Sequence, residues 1–263
     1  VQLKQSYDVC EMYSTNYGYR SGLNKLMVNH LSQKIKNILN YVQLNRDDTV
    51  IDIGSNDGTS LSYYPRNLYK LYGVDPTANK FLEHYRKDIK VISDFFSKTL
   101  LKNHSIDLAK IITSFSMFYD LEDPVDFVKS IKETLHKDGV WIFEQSYLPF
   151  MLKTNSFDTI CHEHLEFYSL KQILYILKIA GLKIISLEFN DINGGSISVS
   201  ATHEESLTYN EDSERIESIL YDEKNNLKLD SLSTYQDFND RIRQLKENLM
   251  LLLRDIKQQG KSI

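Results

Sequence analysis

Nine residues, Val50-Ile51-Asp52-Ile53-Gly54-Ser55-Asn56-Asp57-Gly58, constrain the fold of this 263-residue chain more than any others. An apolar run carries an acid, glycines follow at positions 54 and 58, and a helix-like segment opens at Thr59. A strand, a tight turn and a helix N-terminus have this layout. Glycine lets backbone come close to a ligand, and free N–H groups at a helix start favour an anionic group. The next strand signal, Leu71-Tyr72-Gly73-Val74-Asp75-Pro76, ends in an acid suited to two ribose hydroxyls.

Two cofactor classes compete for such a turn. A nicotinamide site expects G-x-G-x-x-G, with a third glycine and closer spacing. The pattern present is D-x-G-x-x-x-G, which resembles motif I of the class I S-adenosylmethionine methyltransferases. A purely structural turn would use the same glycines; Asp75 in register favours cofactor binding.

Alternating strand and helix signals flank the motif. Residues 68–74, 91–92, 108–113 and 140–143 read as strands, and 78–85 as helical. Pro124 opens a helix with Val125, Val128, Ile131 and Leu135 on its apolar face, and Gly139 is expected to end it. Ser169 caps another helix that Gly181 ends. Residues 182–189 and 196–201 read as a hairpin through Asn193-Gly194-Gly195. The fold class expected is α/β: a mostly parallel Rossmann-like sheet with helices on both faces and an antiparallel hairpin at the end. Before the sheet, apolar residues from Leu23 to Val42 recur at helical spacing; His30 within them suits packing or solvent better than a ligand.

Three domains are expected: an N-terminal arm over 1–22, a cofactor-binding domain over 23–203, and an acidic linker with an amphipathic helix over 204–263. The late helix carries one stripe, from Leu232 through Phe238, Leu245 and Leu252 to Ile256, that needs a partner surface. The opening at Val1 without methionine, and the close at Gly260-Lys261-Ser262-Ile263 like a turn entering a strand, read as a piece of a longer polypeptide. A net charge of −5 argues against a nucleic-acid partner. No apolar run approaches the roughly 20 residues that cross a bilayer, and no signal peptide is visible, so cytoplasm is the default. Cys10 and Cys161 alone make neither a disulfide framework nor a Cys-rich zinc site.

Residues 144–168 break the rhythm just past a strand end, where α/β proteins place their chemistry. They contain the densest titratable cluster, His162-Glu163-His164. In a strand the two histidines would share a face and could ligate a metal, but spacing suggests no third ligand. They could also be satisfied by backbone near the surface. In a bent loop, a histidine beside a carboxylate suits acid–base catalysis. The tyrosine-rich arm, with Tyr7, Tyr13, Tyr17 and Tyr19 around Gly18 and Arg20, is either packed on the surface or a lid over a substrate.

Together, Tyr17-Gly18-Tyr19-Arg20-Ser21-Gly22-Leu23-Asn24, Asp52-x-Gly54-x-x-x-Gly58, Glu144-Gln145-Ser146-Tyr147, His162-Glu163-His164 and Gly194-Gly195-Ser196-Ile197 resemble, in order, the nucleotide-deoxysugar C-methyltransferases. The resemblance covers nearly the whole chain. It implies the central part of a three-part protein, with a zinc module before it and a Rossmann-like domain after it, so that zinc belongs only to the former. It implies S-adenosylmethionine as cofactor, S-adenosylhomocysteine as product and no metal in this part. The partner implied is a nucleotide-sugar small molecule, and the chain is expected to be a monomer or weak homodimer. Glu163 and His164 occupy the family's proposed base pair, with Glu163 orienting His164. Tyr17, Tyr19 or Tyr147 would stabilise an enolate oxygen. Asp52, Gly54, Gly58, Asp75, Pro76, Asp94, Phe95 and Gln145 would line the cofactor, and Arg20 would bind the substrate diphosphate, with Tyr147, His162 and Gly195 also on the substrate. Two departures stand out: Cys161 lies where the family has a tyrosine, and Phe118-Tyr119-Asp120-Leu121-Glu122-Asp123-Pro124 lacks the histidine that often precedes this acidic turn. An O- or N-methyltransferase, or a non-catalytic cofactor-binding scaffold, are the alternative readings.

Overall fold

The computed structural model describes residues 1–13 and 17–262. Strand β1 (Thr49–Ile53) is buried along its whole length, as a central strand of a parallel sheet must be. Around it the sheet runs β3-β2-β1-β4-β5-β7-β6, with β2 (Lys70–Val74), β3 (Ile89–Ile92), β4 (Ala109–Phe115), β5 (Leu135–Ser146), β6 (Leu182–Asn190) and β7 (Ser196–His203). The pairings from β3 to β5 are parallel; β7 is antiparallel to both β5 and β6. The expected parallel sheet with a closing hairpin is present. Strand order reverses at β1 and β4, and a cleft opens at the carboxyl ends of strands at such a point.

The helices are α1 (Val9–Met12), α2 (Lys25–Tyr41), α3 (Lys98–Asn103), α4 (Pro124–Thr134), α5 (Leu148–Thr154), α6 (Leu170–Ala180), α7 (Ser213–Tyr221) and α8 (Leu232–Gln258). On one face of the sheet Ile35 and Ile38 of α2 pack with Val50, Ile111 and Ile142. On the other, Trp141 stacks on Phe143 and meets Phe118 and Phe127, with Val128 of α4 and Ile173 of α6 in the same core. Helix α6 starts in a Ser169–Gln172 capping box and ends at Gly181 with φ 75°. Caps of this kind are worth about 1 kcal/mol each.

Several expectations fail. No α-helix follows Gly58; a single 3-10 turn, Leu61–Tyr63, gives way to extended Tyr64 before Pro65. Proline disfavours helical backbone at the residue before it, so the segment cannot lengthen. Gly139 does not end α4. That helix stops at Thr134, whose hydroxyl bonds back to Ser130 O and Ile131 O, and β5 runs on from Leu135. A Cβ at Gly139 would lie 2.7 Å from Ala109 O, so this glycine serves the close approach of β4 and β5. The acidic stretch after His203 forms α7, which buries Ile216. The start of α8 packs Phe238 on Leu148, Met151 and Phe167, while Leu245, Leu249 and Leu252 are exposed. Ile263, the last residue of the expected turn into a strand, lies outside the described residues.

Candidate active site

Two cavities meet at the carboxyl ends of β1 and β4. The first, of about 380 Å³, is lined by Asp52, Gly54, Asn56, Asp75, Pro76 and Phe95 among others. Asp75 is buried and held rigidly: Oδ2 accepts the Asn56 N–H at 2.8 Å, and Oδ1 accepts the Thr77 N–H and hydroxyl, each at 2.6 Å. A carboxylate has about four acceptor sites, so capacity remains for a ligand hydroxyl. Gly54, at φ 70°, makes the turn that brings backbone to the cavity, and a Cβ there would crowd Met117. Phe95, partly exposed, offers a flat apolar wall. These residues fit a nucleoside cofactor. Asp94 only caps its neighbour's N–H and lies outside the lining.

Asp52 accepts the Thr113 hydroxyl at 2.5 Å. Burial pushes its carboxyl up to about 7, with the Asp75 charge adding and the Thr113 hydrogen bond opposing. An unfolded aspartate titrates near 4. Between about 4 and 7 the folded chain therefore holds a proton that the unfolded chain has lost, and stability falls as pH rises through that window. Asp52→Asn keeps an acceptor for Thr113 but cannot ionise. Urea unfolding of cofactor-free protein should show the variant gaining on wild type from pH 4 to 7, by on the order of 2–4 kcal/mol, and level above.

The second cavity, of about 850 Å³, is lined by Tyr7, Asp120, His162, Glu163, His164 and Asn193 with others. Tyr17, Tyr19, Ser116 and Asp120 line both cavities and mark their junction. The arm forms its roof. Leu3 and Val1 pair with Leu165 and Phe167 through backbone, Tyr7 donates to Glu163 O at 3.0 Å, and Tyr13 donates to Asp120 Oδ2 at 2.8 Å. The arm is thus packed on the domain surface and lines this cavity at the same time. Burial raises the pKa of Tyr7 to about 12 and that of Tyr17, Tyr19 and Tyr119 as well, so these phenols serve as donors, not bases.

His164 sits in a bent loop. Its Nδ1–H donates to the Thr159 carbonyl at 2.8 Å. A carbonyl only accepts, so the neutral ring keeps its lone pair on Nε2, the form a general base needs. The tilted Tyr119 ring, 4.2 Å away between centroids, braces it. The hydrogen bond that orients the ring goes to Thr159 O, while a Glu163 carboxylate oxygen lies within 4.8 Å of a His164 ring nitrogen. His162 goes to the edge of Tyr7 rather than pairing with His164. The nearby donors within 4.8 Å of one another are instead Cys161, Glu163 and His164.

Five other expected site residues lie away from both cavities. Arg20 is engaged by Asp57 at 3.3 Å and His84 at 2.9 Å. Tyr147 donates to buried Glu223 at 2.5 Å, where that carboxylate also caps α6 through the Leu170 N–H. Gln145 is fully buried without a hydrogen-bond partner among the described residues. Gly58 packs on Tyr85, and Gly195, at φ 120°, lies against Phe150. The neighbouring Glu144 is the polar residue in use on β5. It meets His30 Nε2 at 2.5 Å, Lys34 at 3.1 Å and Asn190 at 3.0 Å, and His30 and Lys34 hold its carboxyl below the usual range despite burial. Asp120, Ser116 and Asn193 line the site without having been expected there; Asp120 was legible only as part of an acidic turn.

A methyltransferase-domain family model matches residues 25–187. The chain belongs to the class I methyltransferase family. A second model, described as a C-methyltransferase C-terminal domain, matches residues 191–263 of this methyltransferase. Among curated relatives, the C-methyltransferase NovU of Streptomyces niveus is 26% identical over 190 residues, 71% of this chain and 45% of NovU. The tRNA U34 carboxymethyltransferase of Campylobacter lari is 29% identical over 139 residues, 48% of this chain and 46% of that protein. The methyltransferase thus spans about half the length of the curated relatives it matches. Its fold is similar to a chain of the Haloferax volcanii complex between the Trm112 activator and a methyltransferase (TM-score 0.52, 16% identity, 69% of this chain and 94% of that one). It is also similar to LepI in complex with S-adenosylmethionine (TM-score 0.51, 13% identity, 64% and 46%). No helix among the described residues is long and apolar enough to cross a membrane.

Proposed function

We propose that this methyltransferase carries a methyl group from S-adenosylmethionine to a carbon beside the keto group of a nucleotide-linked deoxysugar. The observation that carries the reading is His164, with Nδ1 bound to Thr159 O, lining a cavity that joins the cofactor cavity at Tyr17, Tyr19 and Ser116. When bound, the cofactor supplies an electrophilic methyl group. Asp75 would hold its ribose, the Gly54 turn its methionine part, and Phe95 its adenine. His164 Nε2 removes the proton beside the keto group, and Tyr17 and Tyr19, as protonated phenols, donate to the developing enolate oxygen. The arm excludes water from the junction. The C-methyltransferase name of NovU and the matched C-terminal domain support carbon as the acceptor atom.

Lining carboxylates Asp8, Glu11, Asp158 and Glu163, with no Lys or Arg among the described lining residues, disfavour a diphosphate inside the acceptor cavity. The sugar enters it and the phosphates stay outside. The same charge favours a cationic amine, so transfer to nitrogen is the second reading. Calorimetric titration with S-adenosylhomocysteine, then with thymidine- and guanosine-diphosphate keto-sugars, tests the proposal. Binding of the first and of at least one sugar is expected. A folded sample that binds no S-adenosylhomocysteine overturns it.

A further inference from the structure

Among the described residues Asp120 is the one carboxylate that borders both cavities. It stands in the 3-10 turn Phe118–Asp120 directly after β4, where strand order reverses. The neighbouring Tyr119 packs its ring on the His164 imidazole. Asp120 Oδ2 accepts the Tyr13 phenol at 2.8 Å, while buried Oδ1 has no partner among the described residues. An ionised carboxylate left in that state forfeits a hydrogen bond at a cost of about 1–3 kcal/mol. A protonated one turns the orphan acceptor into a donor.

Burial and the charge around Asp120 favour the proton, against the Tyr13 hydrogen bond. Tyr13, Tyr7 and Tyr17 are neutral phenols and Glu163 is a second carboxylate; among the described residues no Lys or Arg lines the acceptor cavity. Burial, with the Glu163 charge adding and the Tyr13 hydrogen bond opposing, moves the Asp120 carboxyl up to about 8. A neutral carboxyl is a stronger hydrogen-bond donor to an enolate than a phenol of much higher pKa.

We propose that Asp120 is a second catalytic residue, the acid that donates to the keto oxygen of the acceptor while His164 takes the neighbouring carbon-bound proton. This rests on the keto-acceptor reading above. The C–H bond breaks, its proton goes to His164 Nε2, and its electron pair moves toward the carbonyl oxygen. The Asp120 proton passes to that oxygen, giving an enol held between two side chains. As carbon takes the methyl group, the carbonyl reforms and the proton returns to Asp120; the electrons of the broken S–CH3 bond stay on sulfur. One proton, on His164, is left for release to solvent.

Enolisation can be read without methyl transfer. Wild type, Asp120→Asn and Asp120→Ala, each saturated with S-adenosylhomocysteine, are incubated in D2O with thymidine diphosphate 4-keto-6-deoxyglucose, and exchange beside the keto group is followed by NMR. Wild type should exchange, with a rate that falls above pH about 8 as Asp120 ionises. Asp120→Ala should be slower by about 100-fold or more. Asp120→Asn, which keeps a donor but does not titrate, should lie between and lose the alkaline fall. S-adenosylhomocysteine affinity should stay within about threefold in both. Exchange in Asp120→Ala within threefold of wild type, or an unchanged alkaline fall in Asp120→Asn, overturns the role. Parallel loss of S-adenosylhomocysteine affinity also overturns it, by making Asp120 a cofactor ligand. Wild type that binds S-adenosylhomocysteine yet exchanges nothing defeats the keto-acceptor reading itself, and Asp120 falls with it.

Discussion

His164→Asn should cut methyl transfer by about 10³-fold or more and leave S-adenosylhomocysteine affinity within about twofold. The asparagine side-chain N–H can replace Nδ1–H on the Thr159 carbonyl, so the loop keeps its hydrogen bond and its course. Only the Nε2 lone pair disappears. A general base contributes roughly 10²–10⁴-fold, and the surrounding tyrosines, which keep their protons, do not take over that role. Steady-state turnover with calorimetry on the same samples separates the two effects. Normal turnover in the variant would remove His164 from the chemistry.

Asp75→Asn should weaken S-adenosylhomocysteine binding by about 100-fold, and Asp75→Ala by more. The carboxylate would accept from a ribose hydroxyl at its remaining acceptor site while already holding the Asn56 and Thr77 N–H groups and the Thr77 hydroxyl. A hydrogen bond to a charged group is worth about 1.5–3 kcal/mol, and about 2.7 kcal/mol is a factor of 100. Alanine additionally strands two buried backbone donors, at about 1–3 kcal/mol each, so its Tm should drop as well while the Asn variant keeps most of it. Affinity unchanged in Asp75→Asn would place the cofactor elsewhere.

What could be read from the sequence was what local pattern dictates. The β1 run, the acid at Asp75, the Ser169 and Gly181 caps and the Asn193-Gly194-Gly195 hairpin each depend on neighbours in the chain, and each is in place. Apart from the turn that Pro65 cuts short, the failures depend on contacts distant in sequence. Gly139 looked like a helix stop but answers to Ala109 O on the next strand. Tyr147 looked like a substrate donor until Glu223, 76 residues on, claimed its hydroxyl. Glu144 and Gln145 sit side by side on a strand, so their side chains point to opposite faces; only the fold shows that His30 and Lys34 meet the first of them. The partner that fixes the His164 tautomer is a backbone carbonyl, which no residue type announces.

Carbon is the proposed methyl acceptor, and one measurement tests it directly. The chain is incubated with S-adenosylmethionine carrying a 13C-labelled methyl group and with thymidine diphosphate 4-keto-6-deoxyglucose, and the product is read by 13C–1H NMR. A labelled methyl bonded to the ring carbon beside the keto group, absent in His164→Asn, is the result expected. A label bonded to oxygen or nitrogen, with His164→Asn equally active, would contradict it.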